Sequence, residues 1–247
     1  MPAVAAFTFY KDLVGDSLFT VSALSIEYPG GARAIDDVSF SIEAGENVAL
    51  IGANGAGKTT LLLGLVGVLP PATGEIRAGE IVLNKKTMRD VRSRVGLVFQ
   101  NPDDQLFMPS IFEDVAFGPR HFGCDEAETA ERTDIALSKL GIGHLAERSP
   151  LKLSGGEKRL CAIATVLAMN PEFILFDEPV AFLDPRARRT LISILSGLPQ
   201  GKLIATHDLD FAEKTCTRVL LLQNGKIAAD GGKELLSDTF ALEAAGL

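Results

Sequence analysis

The chain has 247 residues, 47% of them hydrophobic and 23% charged, with 24 glycines, 12 prolines and no tryptophan, which excludes a disordered or collagen-like polymer. Lys and Arg number 24 against 32 Asp and Glu, and the resulting net charge of −8 argues against a general affinity for nucleic-acid phosphates. The length suits one large domain or two modest ones, and Cys124, Cys161 and Cys216 stand far apart with no CxxC pair, predicting reduced thiols in a cytosolic protein.

Residues 1–17 read as an irregular lead-in without the basic start and apolar core of a secretion signal. Leu24, Ile26 and Tyr28 then alternate with polar residues, as do Val38, Phe40 and Ile42, so two half-buried strands are predicted around the turn Pro29-Gly30-Gly31. Val48-Ala49-Leu50-Ile51 suits a strand buried on both faces. A glycine-rich stretch follows, and Leu61–Leu69 reads as a helix, about half of the ~20 residues a membrane span needs. Strands are expected at Glu80–Leu83 and Val95–Phe99.

From about 101 to 160 the character turns helical, with Ile135, Leu137 and Leu140 returning at helical spacing. The acids Asp125, Glu126, Glu128, Glu131 and Asp134 read as a solvated helix face near its N-terminus. Leu160–Met169 is predicted as a buried helix. Strand and helix then alternate through Phe173–Phe176, Arg188–Leu195, Lys202–Thr206, Phe211–Cys216 and Arg218–Leu222, an α/β core with a helical insertion.

Gly52-Ala53-Asn54-Gly55-Ala56-Gly57-Lys58-Thr59 fits GxxxxGK[ST] between an apolar strand and a helix. Its glycines let successive N–H groups converge on phosphate oxygens, and the helix start adds partial positive charge. Lys58 would reach the β- and γ-phosphates, Thr59 would ligate Mg²⁺ and Thr60 would touch the α-phosphate; a chance glycine turn is the bland alternative. Phe173–Phe176 leads into Asp177-Glu178, which a parallel strand presents at its carboxyl edge. Asp177 suits holding Mg²⁺ and Glu178 suits deprotonating the attacking water, since phosphoryl transfer depends on positioning and electrostatics.

Leu153-Ser154-Gly155-Gly156-Glu157-Lys158-Arg159 resembles the LSGGQ signature of ATP-binding-cassette (ABC) ATPases, 23 residues before Asp177 as in that family. The resemblance covers Leu18 to the C-terminus. It implies a P-loop NTPase core with a RecA-like, mostly parallel sheet, an antiparallel β subdomain, and a helical signature subdomain inserted at about 101–160. Tyr28 resembles the aromatic that stacks on adenine, Gln100 the Q-loop glutamine that contacts Mg²⁺ and the attacking water, Asp184 the D-loop aspartate, and His207 the switch histidine on the γ-phosphate. Each alone would pass for a rim tyrosine, a loop polar residue, a turn and a structural histidine. The family further implies a head-to-tail dimer, in which ATP on the cradle of Gly52, Asn54, Gly55, Gly57 and Lys58 is completed by Ser154, Gly155 and Gly156 of the other copy.

Val98-Phe99-Gln100-Asn101-Pro102-Asp103-Asp104-Gln105-Leu106-Phe107 resembles the Q-loop of energy-coupling-factor importers, particularly the cobalt ATPases of the CbiO type. Gln105 would belong to that branch's extended loop, and Leu235–Asp238 with Ala244–Leu247 resembles its ending. That resemblance implies a second ATPase copy or a paralogue, a transmembrane coupling protein and a substrate-binding membrane component, at the cytoplasmic face of the membrane. It implies transport of cobalt, or of nickel next. Vitamin-type ATPases, such as biotin importers, continue past this length with a dimerising tail. Non-transport members acting on DNA carry a coiled-coil insertion and those acting on ribosomes usually two cassettes, so no nucleic-acid partner is expected. An exporter cassette would lack the Asn101–Phe107 loop. Three positions depart from the family pattern: Glu157 replaces Gln, Val180 replaces Thr, and Phe182 replaces a small residue.

Overall fold

Apolar runs that hide both faces of a strand organise the protein, and the computed structural model describes residues 18–247, so the lead-in 1–17 lies outside the described residues. In chain order the first elements are β1 (Phe19–Glu27), β2 (Arg33–Ile42), β3 (Asn47–Ile51), α1 (Lys58–Leu65), β4 (Thr73–Ala78), β5 (Ile81–Val82) and α2 (Met88–Arg94). Next come β6 (Val95–Val98), α3 (Ile111–Phe122), α4 (Glu126–Lys139), α5 (Gly155–Leu167), β7 (Phe173–Asp177) and α6 (Pro185–Gly197). The chain closes with β8 (Gly201–Thr206), α7 (Leu209–Thr215), β9 (Arg218–Gln223), β10 (Lys226–Gly232) and α8 (Thr239–Ala244).

The six-stranded sheet runs β10-β9-β3-β8-β7-β6, parallel from β9 to β6 with β10 antiparallel at its edge. Successive side chains of β3 enter two different cores. Val48 and Leu50 join the core shared with α1 and the antiparallel sheet β2-β1-β4-β5, whereas Ala49 and Ile51 join the core beneath α3, α5, α6 and α7. Phe173 and Leu175 of β7 divide from Ile174 and Phe176 in the same way. A strand covered on both sides needs no polar alternation, which is why these segments read as unbroken apolar runs.

Several expectations shift at their edges. The helix foreseen at Leu61–Leu69 begins at Lys58 and ends at Leu65. Gly67, at φ 68°, donates to Gly64 O at 2.9 Å while Val68 donates to Leu63 O at 2.9 Å, a Schellman stop that overrides the remaining apolar residues. The strand expected at Glu80–Leu83 shrinks to Ile81–Val82. Ile135 lies 58% exposed instead of in the core, because α4 turns Thr129, Thr133, Ala136 and Leu137 inward. Strands β4 and β10 were not foreseen: β4 buries only Ile76 and Ala78, and β10 buries no residue. Among the described residues no helix is long and apolar enough to cross a membrane.

Candidate functional site: a phosphate cradle and a separate signature cleft

The parallel strands end together, and the site is built from residues at or just beyond their carboxyl ends. Gly52 comes directly after β3, Asp177 closes β7, His207 comes directly after β8 and Gln100 lies two residues beyond β6. The glycines of the cradle answer to space as well as to conformation. Gly57 adopts φ 109°, where a Cβ would stand 2.8 Å from Ala34 O, and a Cβ on Gly52 would strike the Leu222 carbonyl. No side chain caps α1, and its first residues Lys58, Thr59 and Thr60 line the cleft.

Lys58, only 7% exposed, donates to Gly52 O at 2.7 Å and Ala53 O at 3.2 Å, and its Nζ lies 3.6 Å from Glu178 Oε1. Thr59 Oγ1 donates to Asp177 Oδ2 at 2.8 Å, and the hydroxyls of Thr60 and Tyr28 meet at 2.7 Å. Asp177 Oδ1 is buried without a hydrogen-bond partner among the described residues. Burial pushes the Asp177 carboxyl above the ordinary carboxylate range, with the Thr59 hydrogen bond opposing it. An orphaned carboxylate oxygen beside a threonine hydroxyl is a hard-oxygen donor set, and it fits Mg²⁺.

Glu178 is buried and its backbone sits at φ 42°, a left-handed conformation for a residue with a side chain. Its N–H donates to Ala205 O at 2.9 Å, extending the pairing of β7 with β8. His207 Nδ1 lies 2.8 Å from Oε1, and Thr206 Oγ1 donates to Oε2 at 3.1 Å, so the two ends of the carboxylate are separately held. Tyr28, Asn54, Lys58, Gln100, Asp177 and His207 line one cleft of about 670 Å³ together with Gly55, Gly57, Thr59, Thr60 and Glu178.

The signature residues stand elsewhere. Ser154, Gly155 and Gly156 line a second cleft of about 630 Å³ with Asp184. Ser154 caps α5: its hydroxyl and N–H donate to Glu157 Oε2 at 2.7 and 2.8 Å, and the Glu157 N–H returns a bond to Ser154 Oγ at 3.4 Å. Those Ser154 donors hold the Glu157 carboxyl below its usual range. The carboxylate of Asp184 caps α6, accepting from Arg186 and Ala187 N–H at 2.8 and 2.9 Å. Phe182 borders both clefts, 97% exposed and at φ 61°.

Sequence reading missed two supporting residues. Thr206 was seen only as the end of a strand, although its hydroxyl holds Glu178. Arg159 was seen only as part of the signature, yet it is 2% exposed and donates to the carbonyls of Phe99 and Gln100. A charged residue followed by Leu160 and Cys161 at the start of a buried helix was the available signal.

Against known proteins, a family model described as ABC transporter matches residues 35–181. The energy-coupling factor transporter ATP-binding protein EcfA of Carboxydothermus hydrogenoformans is 43% identical over 230 residues, covering 92% of this chain and 85% of its own. The cobalt import ATP-binding protein CbiO of Rhodobacter capsulatus is 42% identical over 236 residues, covering 93% and 84%. Among solved structures, CbiO1 of Clostridium perfringens, part of the ABC transporter complex CbiONQ, is similar at a TM-score of 0.81 and 34% identity, covering 92% of each chain. A dimeric ATP-binding cassette in a post-hydrolysis state, bound to ADP and Pi, is similar at a TM-score of 0.78 and 25% identity, covering 87% of this chain and 98% of that one. With the phosphate cradle and paired carboxylates already in place at the strand ends, this chain belongs to the ABC transporter family, as an ATP-binding subunit that hydrolyses ATP.

Proposed function

We propose that residues 18–247 form one cassette, with 101–160 as its helical lobe, that hydrolyses Mg·ATP between two head-to-tail copies, or one copy and a paralogue, to drive an energy-coupling-factor importer. One observation carries the reading: the phosphate cradle and the signature turn occupy different clefts of the same chain. A helix start with phosphate-binding character and no phosphate site beside it is completed by the ATP on another copy's cradle. The dimeric form of the ADP-bound cassette supports the same arrangement.

In that dimer Tyr28 leaves Thr60 and stacks on adenine, and Lys58 exchanges two backbone carbonyls for β- and γ-phosphate oxygens. Gly52, Asn54, Gly55, Gly57 and Thr60 surround the phosphates with backbone and side-chain donors. Thr59, Asp177 and Gln100 would hold Mg²⁺, which supplies charge neutralisation across the phosphates. Glu178 takes the proton of the attacking water, held in orientation by Thr206 and by His207, which also reaches the γ-phosphate. Ser154, Gly155, Gly156 and Asp184 close the site from the second copy.

The cargo is a transition-metal ion, cobalt first and nickel next, passed through a substrate-binding membrane component and a transmembrane coupling protein, with this subunit at the cytoplasmic face. The Asn101–Phe107 loop and the identity to the cobalt import protein support it. Uptake of labelled cobalt, nickel and biotin by cells carrying this subunit with its membrane partners tests the reading, and cobalt uptake reduced by nickel is expected. Uptake of biotin with neither metal would replace the metal by a vitamin. A pull-down from solubilised membranes that recovered ribosomes or DNA in place of membrane proteins would defeat the importer reading.

A further inference from the structure

The loop that carries Gln100 leaves the sheet and is fastened to α5. Val98 is the last residue of β6, paired with Phe176 of β7. From Phe99 onward side chains of α5 join in holding the loop. Phe99 N–H donates to Gln105 Oε1 at 3.1 Å, and Gln105 Nε2 donates to Ala162 O and Thr165 Oγ1 at 2.8 and 2.7 Å, both on α5. Lys158 pairs with Asp103 at 2.6 Å. Arg159 donates from Nη1 to Phe99 O at 2.8 Å and from Nη2 to Gln100 O at 2.6 Å.

We propose that Arg159 is a positioning residue for ATP hydrolysis: its forked grip on two successive carbonyls fixes where the Gln100 side chain stands relative to Asp177 and Glu178. The inference rests on the proposed role of Gln100 at the Mg²⁺ site. A buried guanidinium is an expensive way to pin a loop, because removing a charge from water is costly unless its donors are satisfied. A planar group with parallel donors does what an aliphatic side chain does not: it sets the orientation of two adjacent peptide planes. Among the described residues its Nε and Asp177 Oδ1 are both buried without a hydrogen-bond partner, and burial lowers the pKa of the guanidinium while the charge of Asp177 opposes that. Arg159 also lies on the helix that Ser154 opens. A nucleotide engaging Ser154 would thus contact the same helix to which the Gln100 loop is fastened.

A double-mutant cycle on the full chain tests this, with steady-state ATPase and equilibrium ATP binding as readouts. Gln100→Ala alone is expected to lower kcat. Arg159→Lys, which keeps the charge and loses the fork, is expected to lower kcat by roughly tenfold with KM and the ATP dissociation constant changed by less than about twofold. In the Gln100→Ala background Arg159→Lys should cost nothing further, because residues that act as a unit are not additive. Losses that multiply would overturn the role of Arg159 while leaving Gln100 intact. Normal turnover of Gln100→Ala would overturn the reading of Gln100 and this inference with it. Should Arg159→Lys not fold, Arg159→Gln, which keeps one donor nitrogen without a charge to bury, goes through the same cycle with the same expected outcomes.

Discussion

Glu178 combines a left-handed backbone with a carboxylate clasped at both oxygens, and such strain persists where surrounding structure enforces it. Glu178→Gln keeps the shape of the side chain while removing the proton acceptor. ATP binding should survive, and phosphate release should fall by about 10²–10⁴-fold, the usual worth of a positioned general base. Filter binding and a phosphate-release assay read the two effects separately, and unchanged turnover would take Glu178 out of its assigned role. The cradle and the acid pair were legible in the sequence because each motif is contiguous and its context is a single strand and helix. Arg159 was not, since its carbonyl partners lie 59 and 60 residues away and no spacing rule links them.

Elements were legible in proportion to how completely they are buried. Both β3 and β7 hide both faces and announce themselves, whereas β4 and β10 are half-solvated and their sequences, TGEIRA and KIAADGG, carry hardly any apolar alternation. The extent of α1 was misjudged because a glycine stop, not hydrophobicity, decides where a helix ends. At this scale α5 offers the clearest test. Ser154→Arg replaces the cap and fills the second cleft with a bulky side chain. Loss of the cap costs about 1 kcal/mol, too little to unfold the protein. ATP binding at the cradle should persist while dimer-dependent turnover disappears, as read by nucleotide titration and by ATPase rate against protein concentration. Full activity from a strictly monomeric sample would refute the shared site.

For the molecule as a whole, three buried titratable groups dictate an alkaline stability profile. Lys202 is 1% exposed and donates to Leu198 O and Gln200 O, and burial pushes its ammonium down to about 8. The unfolded chain keeps that proton up to the ordinary lysine value, so stability climbs as pH rises from about 8. Burial pushes the thiols of Cys161 and Cys216 up to about 12 and about 11. Their contribution is whole below the ordinary thiol value of 9.0 and is lost as pH rises through the folded values. Two losses then outweigh one gain, placing the maximum from these groups near about pH 9. Urea midpoints measured from about pH 7 to about pH 10 should rise and then fall, and Lys202→Met should reduce the rise, leaving what burial of Lys139 contributes.

Tyr28 rests its hydroxyl on Thr60 at the lip of the cradle, in a chain with two tyrosines and no tryptophan. An adenine base arriving over that ring would break the contact and change the polarity around half of the protein's phenolic chromophores. If adenine stacks on Tyr28 as proposed, the tyrosine emission of the unlabelled protein should change as the cradle fills, with no dye and no engineered reporter.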